Sequence, residues 1–213
     1  LTVDDKYTIK VTVTDLAGND KKDASADFTV DEKAAEKVLL VPGSNLVSLS
    51  GVPADSDINA VITLAEVSSV RTYESATGTW REATRDSSGK LSGTLSTIDS
   101  QHAYWVATTT FESISVTVLQ TSSTALPPSI PVVAGWNLVP VSNVAGAGAD
   151  VNGGKVGIQL GADAYFGSTA WVTAYTWDTK GEVWKKKLPN TFAQVTVGKG
   201  FWLYVTEDGI LVP

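Results

Sequence analysis

Pro42-Gly43-Ser44-Asn45-Leu46-Val47-Ser48-Leu49 and Ala134-Gly135-Trp136-Asn137-Leu138-Val139-Pro140-Val141 are one pattern written twice. Two further blocks follow each copy in the same order. Arg71-Thr72-Tyr73 with Thr77-Gly78-Thr79-Trp80 answers to Thr173-Ala174-Tyr175 with Lys180-Gly181-Glu182-Val183-Trp184. His102-Ala103-Tyr104-Trp105-Val106 answers to Lys199-Gly200-Phe201-Trp202-Leu203. The offset is 92 at the asparagines and 97 at the last tryptophans, which identifies a tandem duplication.

Working outward, each copy reads mainly as strands. Residues 38–41, 45–50, 67–73, 79–83, 103–109 and 114–119 are short apolar or alternating runs broken by Pro, Gly and polar turns. The run 103–109 is expected to pair with 114–119 as the last hairpin of the first copy. Ile58, Val61, Ile62 and Ala65 stand at i, i+3, i+4 and i+7 after Asp55 or Ser56, either of which can cap a short helix. In the second copy the glycine-rich stretch around Gly153 and Gly154 disfavours a regular helix. Ahead of both copies, Tyr7, Ile9, Val11 and Val13 alternate with Thr8, Lys10, Thr12 and Thr14, as in a half-buried antiparallel strand. A second strand over 26–30 closes a hairpin. The fold expected is mainly β: two tandem β-sandwich or barrel-like repeat modules, one short helix in the first, after a partial Ig-like hairpin. The boundaries are 1–31 for the hairpin, 32–37 for a charged linker and 38–120 for the first module. A Pro-rich connector occupies 121–131 and the second module 132–213.

The chain of 213 residues has no Cys, no Met and a single His, which removes disulfides, thiolate metal sites, cysteine nucleophiles and multi-histidine centres. Its net charge of −7, with no large Lys/Arg cluster, argues against nucleic acid as a partner. No apolar run reaches the roughly 18 residues of a membrane span. The start at Leu1-Thr2-Val3 reads as an interior or processed piece of a longer protein.

Two resemblances add to this reading. Tyr-x-Ile-x-Val-x-Val-x-Asp-Leu-Ala-Gly-Asn over 7–19, with Ala26-Asp27-Phe28-Thr29-Val30-Asp31, resembles the last two strands of bacterial and archaeal Ig-like surface domains. The blocks Gly-(Trp)-Asn-Leu-Val, Thr-Gly-x-Trp and Gly-Phe/Tyr-Trp over 38–213 resemble a C-terminal repeat of archaeal and bacterial S-layer-like proteins, adhesins and secreted enzymes. Ser44, where the pattern prefers Trp, and His102-Ala103, where it prefers a basic residue and Gly, are departures in the first copy. The resemblance implies an extracellular, cell-surface location and a non-catalytic role in surface assembly or display. Neighbouring copies or other domains of the same protein would then be the partners. The alternative is an accessory module, on a secreted enzyme or adhesin, that binds carbohydrate or cell wall.

The candidate site residues are few. Trp80, Trp105, Trp184 and Trp202 recur at matched positions, which suits a shared core as well as a shared site. Trp171 and Trp177 have no counterpart in the aligned first copy and flank Tyr175 at period-two spacing. Trp171, Tyr175 and Trp177 would therefore share one strand face as a stacking platform for sugar rings, provided the ladder is unbroken. Asp15, Asn19, Asp20 and Asp31 offer hard oxygens for calcium near the hairpin junction, against the simpler reading of solvated turn acids; no other cofactor is expected. His102 lacks a nucleophile-elbow serine and reads as a polar loop residue. The glycines from Gly146 to Lys155 miss the phosphate-loop spacing. Lys185-Lys186-Lys187 reads as a solvated strand edge.

Overall fold

The computed structural model describes residues 6–14, 20–29, 33–119, 129–142 and 159–213, with side chains from Glu36 onward. The chain is mainly β. Strands β1 (Lys6–Thr14) and β2 (Asp20–Thr29) pair antiparallel, Tyr7 opposite Phe28, with a bulge between Lys10 and Thr12.

The first repeat runs β3 (Lys33–Leu40), β4 (Gly43–Ser48), α1 (Ile58–Val61), β5 (Val67–Glu74), β6 (Thr79–Arg85), β7 (Leu91–Gly93), β8 (Ala103–Thr108) and β9 (Glu112–Leu119). The second runs β10 (Ile130–Val132), β11 (Gly135–Pro140), β12 (Gln159–Gly161), α2 (Ala162–Phe166), β13 (Trp171–Asp178), β14 (Val183–Lys187), β15 (Gln194–Thr196), β16 (Gly200–Val205) and β17 (Gly209–Leu211). The circuits match. The first strand of each repeat pairs with its last, β3 with β9 and β10 with β17, and lies over a larger antiparallel sheet. Those sheets are ordered β4-β8-β5-β6-β7 and β11-β16-β13-β14, and neither closes into a barrel. Each layer pair encloses its own apolar core, one around Val47, Val70, Val106 and Ile114, the other around Val139, Phe166, Phe201 and Leu203.

The repeated Gly-x-Asn-Leu motif has a local cause. Gly43 and Gly135 take φ of +106° and +107°, a region costly for any residue with a Cβ. The buried Asn two residues later then folds back on the turn. Asn45 Oδ1 accepts from Val41 N–H at 3.0 Å, and its Nδ2 donates to Val41 O at 2.8 Å. Asn137 repeats this with Val133 at 2.9 and 2.7 Å. Four backbone groups that a tight turn would leave unpaired are thus satisfied by two side chains.

Several expectations need correcting. β8 and β9 do not form a hairpin: β8 lies between β4 and β5, while β9 crosses to the other layer and pairs with β3. Most of the supposed linker 32–37 is strand, with Lys33 opposite Leu119, and Glu36 is buried where its carboxylate accepts from Ser50 N–H and Oγ–H. Ile130 and Pro131, placed in the connector, pair with β17. The cap of α1 is Asp57, whose side chain accepts from Asn59 and Ala60 N–H, and Ala65 lies beyond the helix. The second repeat also has a short helix, α2, which begins after Gly161 without a side-chain cap. The glycine-rich residues 146–155 and most of the connector lie outside the described residues.

The two repeats pack through the outer faces of their larger sheets. Leu46, Ala103 and Leu138 are buried between them, with Tyr73, Trp105, Trp177 and Trp202 packed around. Gly200 sits at the closest approach: a Cβ there would stand 2.7 Å from Ala103 Cβ and 2.8 Å from Leu46 Cδ1. Hydrogen bonds also cross between the repeats. Ser48 N–H donates to Gly198 O at 2.9 Å, Ser48 Oγ donates to Lys199 O at 3.1 Å, and Val141 N–H donates to Ser48 Oγ at 3.2 Å.

Candidate functional site

The strand registers give the true correspondence of the repeats. Arg71 lies opposite Trp105 and Tyr175 opposite Trp202, while Tyr73 lies opposite Trp80 and Trp177 opposite Trp184. The counterpart of Trp177 is therefore Tyr73, and that of Tyr175 is Arg71, a shift of two residues from the sequence match. Trp177 is not unmatched after all.

With that register, two ring triads appear, each drawing two rings from one repeat and one from the other. Tyr73, Trp80 and Trp202 have centroid separations of 5.3, 5.3 and 5.9 Å. Trp177, Trp184 and Trp105 have separations of 5.2, 5.8 and 6.2 Å. Tilted and edge-to-face contacts at these distances are favourable beyond the area they bury. The matched tryptophans thus join the repeats rather than fill either core.

The second repeat carries rings that the first lacks. Trp136, Tyr175 and Tyr204 stand where the first has Ser44, Arg71 and Ala107. Trp136 lies 5.2 Å from Tyr204 and 5.9 Å from Tyr175, and Tyr175 is 6.5 Å from Trp184. Trp136, Tyr175, Trp184 and Trp202, together with Tyr73 from the first repeat, line an open groove of about 600 Å³. Trp136 and Trp184 are 44% and 46% exposed. The Lys186 ammonium lies 5.8 Å from the Tyr175 ring. At the matching place in the first repeat, the Arg71 guanidinium covers Trp80 at 5.2 Å.

Of the three residues expected to form a platform, the structure brings two onto one face. A bulge between Trp171 and Thr173 breaks the alternation. Trp171 consequently turns to the second core, 5.3 Å from the Phe166 ring. Tyr175 lines the groove, and Trp177 is half-buried in the inter-repeat triad. Sequence reasoning missed Trp136, Trp184, Trp202 and Tyr73 as lining residues. The contrast of Trp136 with Ser44 was the available signal.

A second cluster surrounds His102 in a cleft between the repeats of about 240 Å³. Its Nδ1 is 2.7 Å from Asp99 Oδ1 and its Nε2 3.5 Å from Glu74 Oε1, while Arg81 pairs with Glu74 at 3.2 Å. The hydrogen bond to Asp99 raises the His102 pKa; burial opposes it, and the charges of Asp99 and Glu74 reinforce it. Burial pushes Asp99 up, but the hydrogen bond and charge of His102 outweigh it and leave the carboxyl below its usual range. Both imidazole nitrogens thus face carboxylates, which favours the imidazolium, a form that cannot act as a base. Burial also holds the Tyr104 hydroxyl well above its ordinary pKa, and its oxygen accepts from Asp99 N–H at 2.9 Å. The matching cleft on the other side, about 310 Å³, has Lys199 and Asp178 in place of His102 and Glu74.

The chain matches no known family model, no curated protein and no solved structure. Among the described residues no cluster of His, Asp and Glu is arranged for a metal ion. Asp15, Asn19 and Asp31 lie outside the described residues, as does the side chain of Asp20. No described helix is long and apolar enough to cross a membrane.

Proposed function

We propose that this chain is a non-catalytic structural segment of a larger extracellular surface protein of the S-layer-like kind, in which the two repeats form one stiff block. The observation that supports this reading is the shared interface. Leu46, Leu138, Ala103, Gly200 and the two mixed ring triads bind the repeats face to face, as a spacing or assembly element requires. Neighbouring copies or domains are the partners in this reading, and the β1–β2 hairpin is the element available for strand addition. Electron microscopy of the purified chain, with calcium and then with chelator, tests it. Sheets, tubes or filaments that disappear on deletion of residues 1–31 are the expected result. Dispersed particles under both conditions overturn the proposal.

A second reading, an accessory module that holds a polysaccharide or wall polymer, is favoured by one observation, the exposed aromatic groove of the second repeat.

A further inference from the structure

The duplication provides an internal control on which rings the fold needs. Matched rings, Tyr73 with Trp177, Trp80 with Trp184 and Trp105 with Trp202, build the inter-repeat contact in both directions. Trp136, Tyr175 and Tyr204 do not belong to that set, because the first repeat forms the same sheet with Ser44, Arg71 and Ala107 at those positions. Three large aromatic residues that the shared architecture does without lie together along one partly exposed surface, and two of them line the groove. Rings that the sheet does not need, gathered at a surface where Trp136 is exposed to solvent, are available to stack on a ligand.

We propose that this groove, formed by Trp136, Tyr175, Trp184 and Trp202 with Tyr73 of the first repeat, binds a neutral glycan chain, and that the corresponding surface of the first repeat does not. The inference rests on the second reading above and assigns it to one repeat.

The chemistry of the lining selects the ligand. Every lining residue is Trp or Tyr, so the groove offers flat apolar faces edged by polar atoms. Among the described residues, the hydroxyls of the two lining tyrosines, Tyr73 and Tyr175, make no protein hydrogen bond, unlike the hydroxyls of Tyr104 and Tyr165, which are committed to Asp99 and Ser142. A sugar ring presents C–H faces and hydroxyls that both donate and accept, which matches this surface. A polyproline strand offers apolar faces but only acceptors, and leaves the accepting capacity of the tyrosines unused. No carboxylate lines the groove, and the Lys186 ammonium beside Tyr175 repels a cation that the rings would otherwise attract. The net charge of −7 disfavours a polyanion. The groove is open rather than enclosed, so a polymer can pass through it.

Retention of the full chain on microcrystalline cellulose, chitin and insoluble mannan tests the proposal, with soluble decaproline as the competing probe. Wild type is expected to be retained on at least one polysaccharide, and Trp136→Ala with Tyr175→Ala to weaken that retention by about tenfold or more. Tyr175→Ala alone, which puts a small residue where the first repeat manages with Arg71, supplies the same readout if the double variant folds poorly. Unchanged melting temperatures separate loss of binding from loss of fold. Retention that survives both variants overturns the groove while leaving polymer binding intact. No retention of wild type on any of the three, or preferential binding of decaproline, overturns the groove and the glycan reading together.

Discussion

Ser50 and Ser142 occupy the same place in the two repeats, yet the repeats satisfy them differently. In the first, the Ser50 N–H and hydroxyl donate to the buried Glu36 carboxylate at 2.9 and 2.8 Å. In the second, the Ser142 N–H donates to the Tyr165 hydroxyl at 3.0 Å, and that hydroxyl in turn donates to Pro140 O. One repeat reaches back to its first strand and the other forward to α2. Both face the same constraint, that a backbone donor at the end of the second strand is buried and must be paired. By contrast, Asn45 and Asn137 close their turns with the same bonds, and Asn45 adds one from its Nδ2 to Val106 O at 3.3 Å. Duplicated copies thus keep a solution where geometry allows one and diverge where several side chains can supply the same acceptor.

That comparison can be broken at graded cost. Glu36→Ala should destabilise the chain by about 3 kcal/mol, since it leaves the Ser50 donors buried and unpaired. Tyr165→Phe, which removes only the hydroxyl, should cost about 1 to 2 kcal/mol in the same denaturant titration. A larger loss from Tyr165→Phe than from Glu36→Ala would show that the two acceptors are not equivalent. Asn137→Ala should cost about 2 kcal/mol, and Asn45→Ala slightly more, because it also loses the bond to Val106 O. A larger loss from Asn137→Ala would show that the bond to Val106 O contributes nothing to the first turn.

The interface gives a third contrast. Gly200→Ala should cost about 1 to 3 kcal/mol, because Ala103 Cβ and Leu46 already occupy the space a methyl group would enter. Ala103→Gly, at the matching position, relieves the approach and should cost about 1 kcal/mol, mostly from the freer unfolded backbone. The smallest effect concerns His102, a polar position whose counterpart is Lys199. With its folded pKa raised above the unfolded value, His102 contributes stability that is fully present below about pH 6.5 and lost as pH rises through the folded pKa. Burial raises the Glu36 pKa despite its bonds from Ser50, and this acts in the same direction. The His102 share is therefore read as the difference between wild type and His102→Gln. The melting temperature should fall from pH 6 to pH 8 more steeply in wild type than in the variant. Identical slopes would show that the Asp99 and Glu74 contacts carry no net coupling.

Much of this architecture is legible in the chain. Period-two alternation, Gly and Pro punctuation and the duplicated blocks locate nearly every strand of the larger sheets, because side-chain direction alternates strictly along a strand. Partner choice is less legible. The pattern of 114–119 marks a strand equally well whether it pairs with its neighbour or crosses to β3. Glu36 looks like a linker residue because its charge is visible in the sequence while the Ser50 donors that satisfy it stand fourteen positions away. Trp171 escapes prediction because one extra residue at a bulge reverses the face of everything before it. The groove is partly legible: the spacing points to Tyr175, whereas Trp136 shows only as a contrast with Ser44 that the alternation of the strand does not turn into a site.

By itself the sequence determined that this protein is a β-rich duplication without thiol chemistry, and where its turns fall. Those are consequences of local periodicity and of residue types present or absent. Which face each aromatic occupies, and the joining of Tyr73 to Trp202 and Trp105 to Trp177 across the repeats, were decided only in the tertiary structure. Those contacts depend on strand registers and on a bulge, and a bulge arises from the ladder around it rather than from the residues within it.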